Sequence, residues 1–135
     1  MNLLSVDFGT KNIGLAWCDT GIGAALPFGV IDNEQLAINN KQKKSSIEHL
    51  AELIKKEKIE KVIIGLPVGI DGKENANTAR VKKFGDELKQ LVPAVIEYFD
   101  ERFSSQAADR MEGGVSRDEK SAMIILEDYL RGLKR

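Results

Sequence analysis

Residues 2 to 8, Asn-Leu-Leu-Ser-Val-Asp-Phe, alternate in the period of an extended strand. Leu4, Val6 and Phe8 fall on one face, and Leu3, Ser5 and Asp7 on the other. Gly9-Thr10-Lys11-Asn12 supplies a turn, and Ile13, Leu15 and Trp17 restart the alternation. Asp19-Thr20-Gly21 forms a second turn, and residues 22 to 31 read as a third strand, with Pro27 placing it at a sheet edge. Three strands joined by such short turns predict an antiparallel meander.

The pattern then changes. Residues 32 to 44 are polar and rich in Asn, hence a loop. Ser45 or Ser46 can cap a helix that carries Ile47, Leu50, Ala51 and Ile54 on one side. Lys61 to Pro67 is a β-branched run stopped by Gly and Pro, the signature of a strand covered on both faces. After a Gly-rich and polar loop, Thr78 to Leu91 predicts a helix with Val81, Phe84, Leu88 and Leu91 as its stripe. Residues 94 to 101 form a fifth strand beyond Pro93. Ser104 or Ser105 caps a short helix to about Met111, residues 112 to 117 are a glycine hinge, and Asp118 to Leu133 is a last amphipathic helix.

The predicted order is βββαβαβαα, with no internal repeat and no domain boundary, so residues 1–135 read as a single domain. Helical crossovers demand parallel pairing of the later strands, on a sheet that starts antiparallel. The expectation is an α/β fold, a mixed five-stranded sheet with helices on both faces, which resembles the ribonuclease H-like topology.

Composition narrows the chemistry. The chain is 42% hydrophobic and 30% charged, an ordinary globular balance. No apolar stretch approaches the ~20 residues that span a bilayer, and the first residues lack the basic and apolar regions of a signal peptide, so no membrane partner and a cytoplasmic location are expected. One cysteine, Cys18, excludes an internal disulfide or a cysteine-rich zinc site. One histidine, His49, sits in an exposed helical pattern and leaves no Ser-His-Asp relay. The net charge of −1 gives no global attraction to nucleic acid. Local basic clusters at Lys41/Lys43/Lys44, Arg80/Lys82/Lys83 and Arg131/Lys134/Arg135 read first as solvated faces.

Three acids fall at element ends. Asp7 ends the first strand, Asp100-Glu101 ends the fifth, and Asp118 opens the last helix on the side of Ala122, Ile125 and Tyr129. Each alone fits a turn, a loop start or a helix cap. Together they suit a different purpose. The first strand of such a sheet is central, the fifth is expected close by, and a helix start can lie over the same spot. Converging carboxylates repel unless protonated or metal-bound, and hard oxygen ligands suit Mg²⁺ or Mn²⁺. Two such ions hold the attacking and leaving oxygens of a phosphodiester in line.

Four stretches carry a family resemblance: Val6–Asp19 (VDFGTKNIGLAWCD), Val62–Gly72 (VIIGLPVGIDG), Asp100–Ala108 (DERFSSQAA) and Arg117–Leu130 (RDEKSAMIILEDYL). In order and spacing the chain resembles, end to end, the YqgF family of Holliday junction resolvase-like proteins and pre-16S rRNA nucleases. The resemblance implies metal-dependent hydrolysis of phosphodiester bonds in structured RNA or branched DNA, with Mg²⁺ or Mn²⁺, two ions, as cofactor. It maps the family's metal-binding acids onto Asp7, Glu101 and Asp118, with water activated by the cations as nucleophile. It points to Lys11 and Arg102 as phosphate contacts, with Arg80 and Lys83 beside them. Ser104 and Ser105 read as helix caps, and Gly65, Pro67, Gly69 and Gly72 as a loop able to close on substrate. Asn12 departs from the pattern, because the family has Arg before the Ile-Gly pair.

Ribosome biogenesis through the 5′ end of pre-16S rRNA is the primary expectation, and resolution of Holliday junctions in DNA recombination and repair is the alternative. A resolvase must cut two strands symmetrically and therefore act as a homodimer, whereas an RNA nuclease can be a monomer. The modest basic surface favours RNA. Two readings of other classes stand beside these. A non-catalytic ribosome-assembly or nucleic-acid-binding module would keep the fold without turnover. An ATP-binding module of the actin and sugar kinase type shares the Asp-Phe-Gly-Thr turn, but it needs a second such domain and phosphate loop that 135 residues do not supply.

Overall fold

The computed structural model describes residues 1–9, 11–21, 23–32, 46–66, 76–100 and 117–133. Five strands form one sheet: β1 (Asn2–Phe8), β2 (Asn12–Asp19), β3 (Leu26–Asp32), β4 (Lys61–Leu66) and β5 (Val95–Asp100). Three helices are described with them: α1 (Ser46–Lys56), α2 (Ala76–Leu91) and α3 (Arg117–Leu133). The short helix expected at 104–111 lies outside the described residues, as do residues 33–44 and 68–75 of the two expected loops.

The strand order is β3-β2-β1-β4-β5. β1 pairs antiparallel with β2 and parallel with β4; β3 is antiparallel to β2, and β5 is parallel to β4. The meander, the parallel crossovers and the central first strand therefore stand as the hydrophobic pattern predicts. Pro27 does lie on an edge strand, beside a register shift at Leu15/Ala16 where Gly29 adopts a φ of 135°. β5 does not neighbour β1. β4 lies between them, so the two strands are about 10 Å apart. The third strand also starts later than residue 22. Asp19 Oδ1 accepts from the Gly21 N–H, and the Gly23 N–H donates to the Asp19 carbonyl at a φ of 77°, so the chain is still turning there.

The alternation of β1 sorts its side chains into two cores. Leu4, Val6, Ile13, Leu15, Val62, Ile64 and Ile96 pack against Leu50, Ala51 and Ile54 of α1 and Val81, Phe84 and Leu88 of α2. On the other face Leu3, Ala16, Cys18 and Ile63 meet Ala122, Ile125, Leu126 and Tyr129 of α3. Helices thus cover both faces, and α3 has the second to itself among the described residues. Its far end is held at β4 and β5. There the Lys61 Nζ donates to Tyr129 Oη at 2.9 Å, Tyr129 Oη donates to Glu97 at 2.8 Å, and Lys61 and Glu97 form an ion pair at 3.3 Å.

α1 ends in a Schellman motif. The Ile59 N–H donates to the Ile54 carbonyl and the Lys58 N–H to that of Lys55, with Lys58 at a φ of 56°. A residue with a Cβ is strained in that left-handed position by about 1 kcal/mol. Lys58→Gly is therefore expected to raise stability by roughly 0.5–1 kcal/mol in urea denaturation, and an unchanged or lower midpoint counts against the strain.

Candidate metal and phosphodiester site

Asp7 lies near the carboxyl end of the central strand, on the α3 face of the sheet. Its partner across the β1–β2 ladder is Gly14. The first turn of α3 descends onto that glycine: a Cβ built at Gly14 would overlap the backbone carbonyl of Asp118. Hydrogen at this position lets the helix start approach closer than any side chain would allow. Asp118 is thereby set beside Asp7, as the stripe through Ala122, Ile125 and Tyr129 predicts.

The electrostatics follow from that packing. Burial pushes the Asp7 carboxyl up from 3.8 to about 6, the nearby Asp118 charge adds to the rise, and a hydrogen bond from the Ser121 side chain opposes it. Among the described residues no lysine, arginine or histidine forms an ion pair with either acid. The amino end of α3 offers only a partial positive charge to them. A half-buried carboxylate beside a second acid, with no ion-paired cationic side chain on either among the described residues, has the donor chemistry of a hard divalent ion and fits one. The described residues hold no group of three metal-ligating side chains, and the third expected acid, Glu101, lies outside them, as does Arg102.

The remaining described candidates lie on the β1–β2 turn and on α2. Lys11 is exposed in the β1–β2 turn, which is closed by the Gly9 N–H donating to the Asn12 carbonyl at 2.9 Å. Asn12 opens β2 opposite Asp32 of β3. Arg80 and Lys83 are exposed on α2, flanking Phe84, whose ring centroid lies 4.4 Å from that of Phe8. α2 packs on the face of the sheet opposite Asp118. His49 is exposed on α1, as expected, and Gly65 is within β4, while Pro67, Gly69, Gly72, Ser104 and Ser105 lie outside the described residues.

Sequence reasoning missed Gly14, Ser5 and Ser121. A glycine inside an alternating strand is a signal of close backbone approach, and Gly14 carried it. Ser5 is wholly buried on β1, two residues before Asp7, and Ser121 follows Asp118 by three residues on the helix. Neither serine stands out in composition or spacing.

The model of the RuvX family, described as Holliday junction resolvase, matches residues 1–132. A protein of Maridesulfovibrio salexigens named "Putative pre-16S rRNA nuclease" is 34% identical over 96% of this chain and 98% of its own length. One of the same name from Halalkalibacterium halodurans is also 34% identical, over 96% of each chain. Among solved structures, Thermus thermophilus RuvC in complex with a Holliday junction substrate superposes with a TM-score of 0.60 at 12% identity, over 99% of this chain and 96% of that one. That likeness shows the fold, and RuvC alone gives the same picture at a TM-score of 0.61. With a family match over residues 1–132 and relatives of nearly equal length, the chain belongs to the RuvX family, the one its four sequence stretches resemble under the name YqgF.

Proposed function

We propose that this protein is a divalent-metal-dependent endonuclease that hydrolyses phosphodiester bonds in structured nucleic acid, with the 5′ end of pre-16S rRNA as its substrate. The observation that carries the proposal is the half-buried Asp7 beside Asp118, an arrangement that is costly unless a cation occupies it. Asp7 and Asp118, together with Glu101, hold the ions, Mg²⁺ or Mn²⁺. When bound, they lower the pKa of the attacking water and neutralise charge on the phosphate. Asp7 is anchored on the central strand and Asp118 on a helix start locked to β2, so the two ligands keep a fixed separation without substrate.

Lys11 and Arg102 contact substrate phosphates near the acids, while Arg80 and Lys83 engage the backbone on the opposite face of the sheet. RNA is favoured over junction DNA by the net charge of −1, which leaves little basic surface to embrace four duplex arms. The names of the pre-16S rRNA nucleases that the chain resembles support the same choice. The protein is a single domain that works in the cytoplasm as a monomer or homodimer. Resolution of Holliday junctions is the second reading, favoured by the description of the family.

Cleavage assays with Mn²⁺ on a pre-16S rRNA fragment, a four-way DNA junction and an unstructured RNA test the proposal. Cutting of the rRNA fragment is expected, lost in EDTA and in Glu101→Gln. Preferential, paired cutting of the junction by a dimer would transfer the function to the second reading. Inactivity on all three substrates, or full activity of Glu101→Gln, overturns the mechanism.

A further inference from the structure

A second set of polar contacts ties α3 to β1 beside the acids. Ser5 is fully buried on the central strand, and its hydroxyl donates to the Ala122 carbonyl of α3 at 2.5 Å. The Ala16 carbonyl on the neighbouring strand lies at 3.5 Å, so the short contact to the helix takes the proton. Ala122 sits in the interior of α3, where its carbonyl already has a helical partner four residues on. The bond from Ser5 is therefore additional: it satisfies no orphaned group and instead fixes where the helix lies along the strand. One residue earlier on α3, the Ser121 hydroxyl stands towards the Asp7 carboxylate and favours its charged form. The third point is Gly14, which admits the Asp118 backbone.

Apolar packing of a helix on a sheet tolerates small slides, because it depends on area buried rather than direction. Hydrogen bonds are directional and lose strength within a few tenths of an ångström. The Ser5 bond and the Gly14 backbone contact fix the depth and axial position of the turn that carries Asp118.

We infer that Ser5 and Ser121 are positioning residues for the reaction, a pair of hydroxyl tethers that hold Asp118 and orient Asp7 so that the two carboxylates are set to receive divalent cations. The inference rests on the metal-dependent reading above. Partners that orient metal ligands typically contribute ~10–100-fold to metal affinity or activity, which sets the size of the effect. A serine present merely to fill space beside a helix would contribute nothing to either.

The test is a Mn²⁺ titration followed by thermal denaturation, without substrate, on wild type, Asp7→Asn, Ser121→Ala, Ser121→Thr and Ser5→Ala, with kcat and KM for the rRNA fragment measured alongside. Ser121→Ala and Ser5→Ala are expected to need about 10-fold more Mn²⁺ for half the stabilisation, with kcat at subsaturating Mn²⁺ reduced and KM for RNA unchanged. Ser121→Thr, which keeps the hydroxyl, is expected within about 2-fold of wild type on the same scale. Alanine variants that titrate like wild type overturn the inference while leaving the metal site standing. A threonine variant as impaired as alanine also overturns it. A wild type that gains no stability from Mn²⁺, and matches Asp7→Asn, overturns both the metal reading and the tethers built on it.

Discussion

Asp7→Asn is expected to abolish cleavage while making the metal-free protein more stable at neutral pH. The two effects share one cause. Asp7 is held at about 6 instead of 3.8, first by burial and then by the Asp118 charge, so the fold prefers the neutral acid. A folded-state value above the unfolded one contributes stability that is fully present below pH 3.8 and lost as the pH rises through about 6. The difference of about two pK units corresponds to about 3 kcal/mol at pH 8. Asparagine keeps the size and the hydrogen bond from Ser121 but carries no charge at any pH. Urea denaturation in EDTA should therefore show the variant more stable than wild type by roughly 1–3 kcal/mol at pH 8, with the gap closing towards pH 4. Added Mn²⁺ should reverse the order, because the ion binds the charged form and stabilises only the wild type. Cleavage should fall by at least ~1,000-fold, since a ligand to the ions that organise the reaction is gone. A wild type as stable as the variant at pH 8 in EDTA would refute the strained-acid account even if activity were lost.

This trade between stability and function explains why part of the site could be read from the sequence. Asp7 drew attention because a carboxylate at the end of a central-strand pattern is a local contradiction, and such contradictions concentrate at functional sites. Asp118 was legible because helical spacing ties it to Ala122 and Ile125, and those residues do face the sheet. The meander followed from turn lengths, and the parallel pairing of the later strands from the helical crossovers. The position of β5 did not. Periodicity says that a strand pairs in parallel, yet it does not say how many strands lie between it and the first. Ser5 and Ser121 were illegible for a related reason. Their importance lies in which backbone carbonyl and which carboxylate they meet, across 117 and 114 positions of chain respectively. No spacing rule acts over that distance. The β1–β2 turn was legible as a turn, while the consequence of Asn12 depends on what Lys11 and its neighbours meet in a complex.

Gly14→Ala carries the second large effect, and it tests geometry where the Asp7 substitution tests charge. A methyl group on Gly14 would occupy the space of the Asp118 backbone carbonyl, with the Asp118 side-chain Cβ also close. No flexible side chain stands there to swing away, so the first turn of α3 must lift or unwind. Lifting it separates Ala122, Ile125 and Leu126 from Leu3 and Ile63, and opens the Ser5–Ala122 hydrogen bond. Overpacking of this kind costs about 1–3 kcal/mol, and here the upper end is expected because backbone rather than side chain must yield. The effect on function should exceed the effect on stability. Asp118 moves away from Asp7, so the upward pull of its charge on the Asp7 carboxyl weakens and the stabilisation by Mn²⁺ should fall by at least ~10-fold in affinity. Cleavage should drop ~100-fold or more at saturating RNA, with KM for the RNA little changed, because Lys11 on the turn and Arg80 and Lys83 on the other face keep their places. Ala16→Gly, one pleat further along β2 on the same face, is the control: it removes volume without obstructing α3 and should lower stability while sparing the response to Mn²⁺. If Gly14→Ala unfolds no sooner than wild type and binds Mn²⁺ as well, α3 does not rest on β2 at this residue. The convergence of the two acids then loses its structural basis.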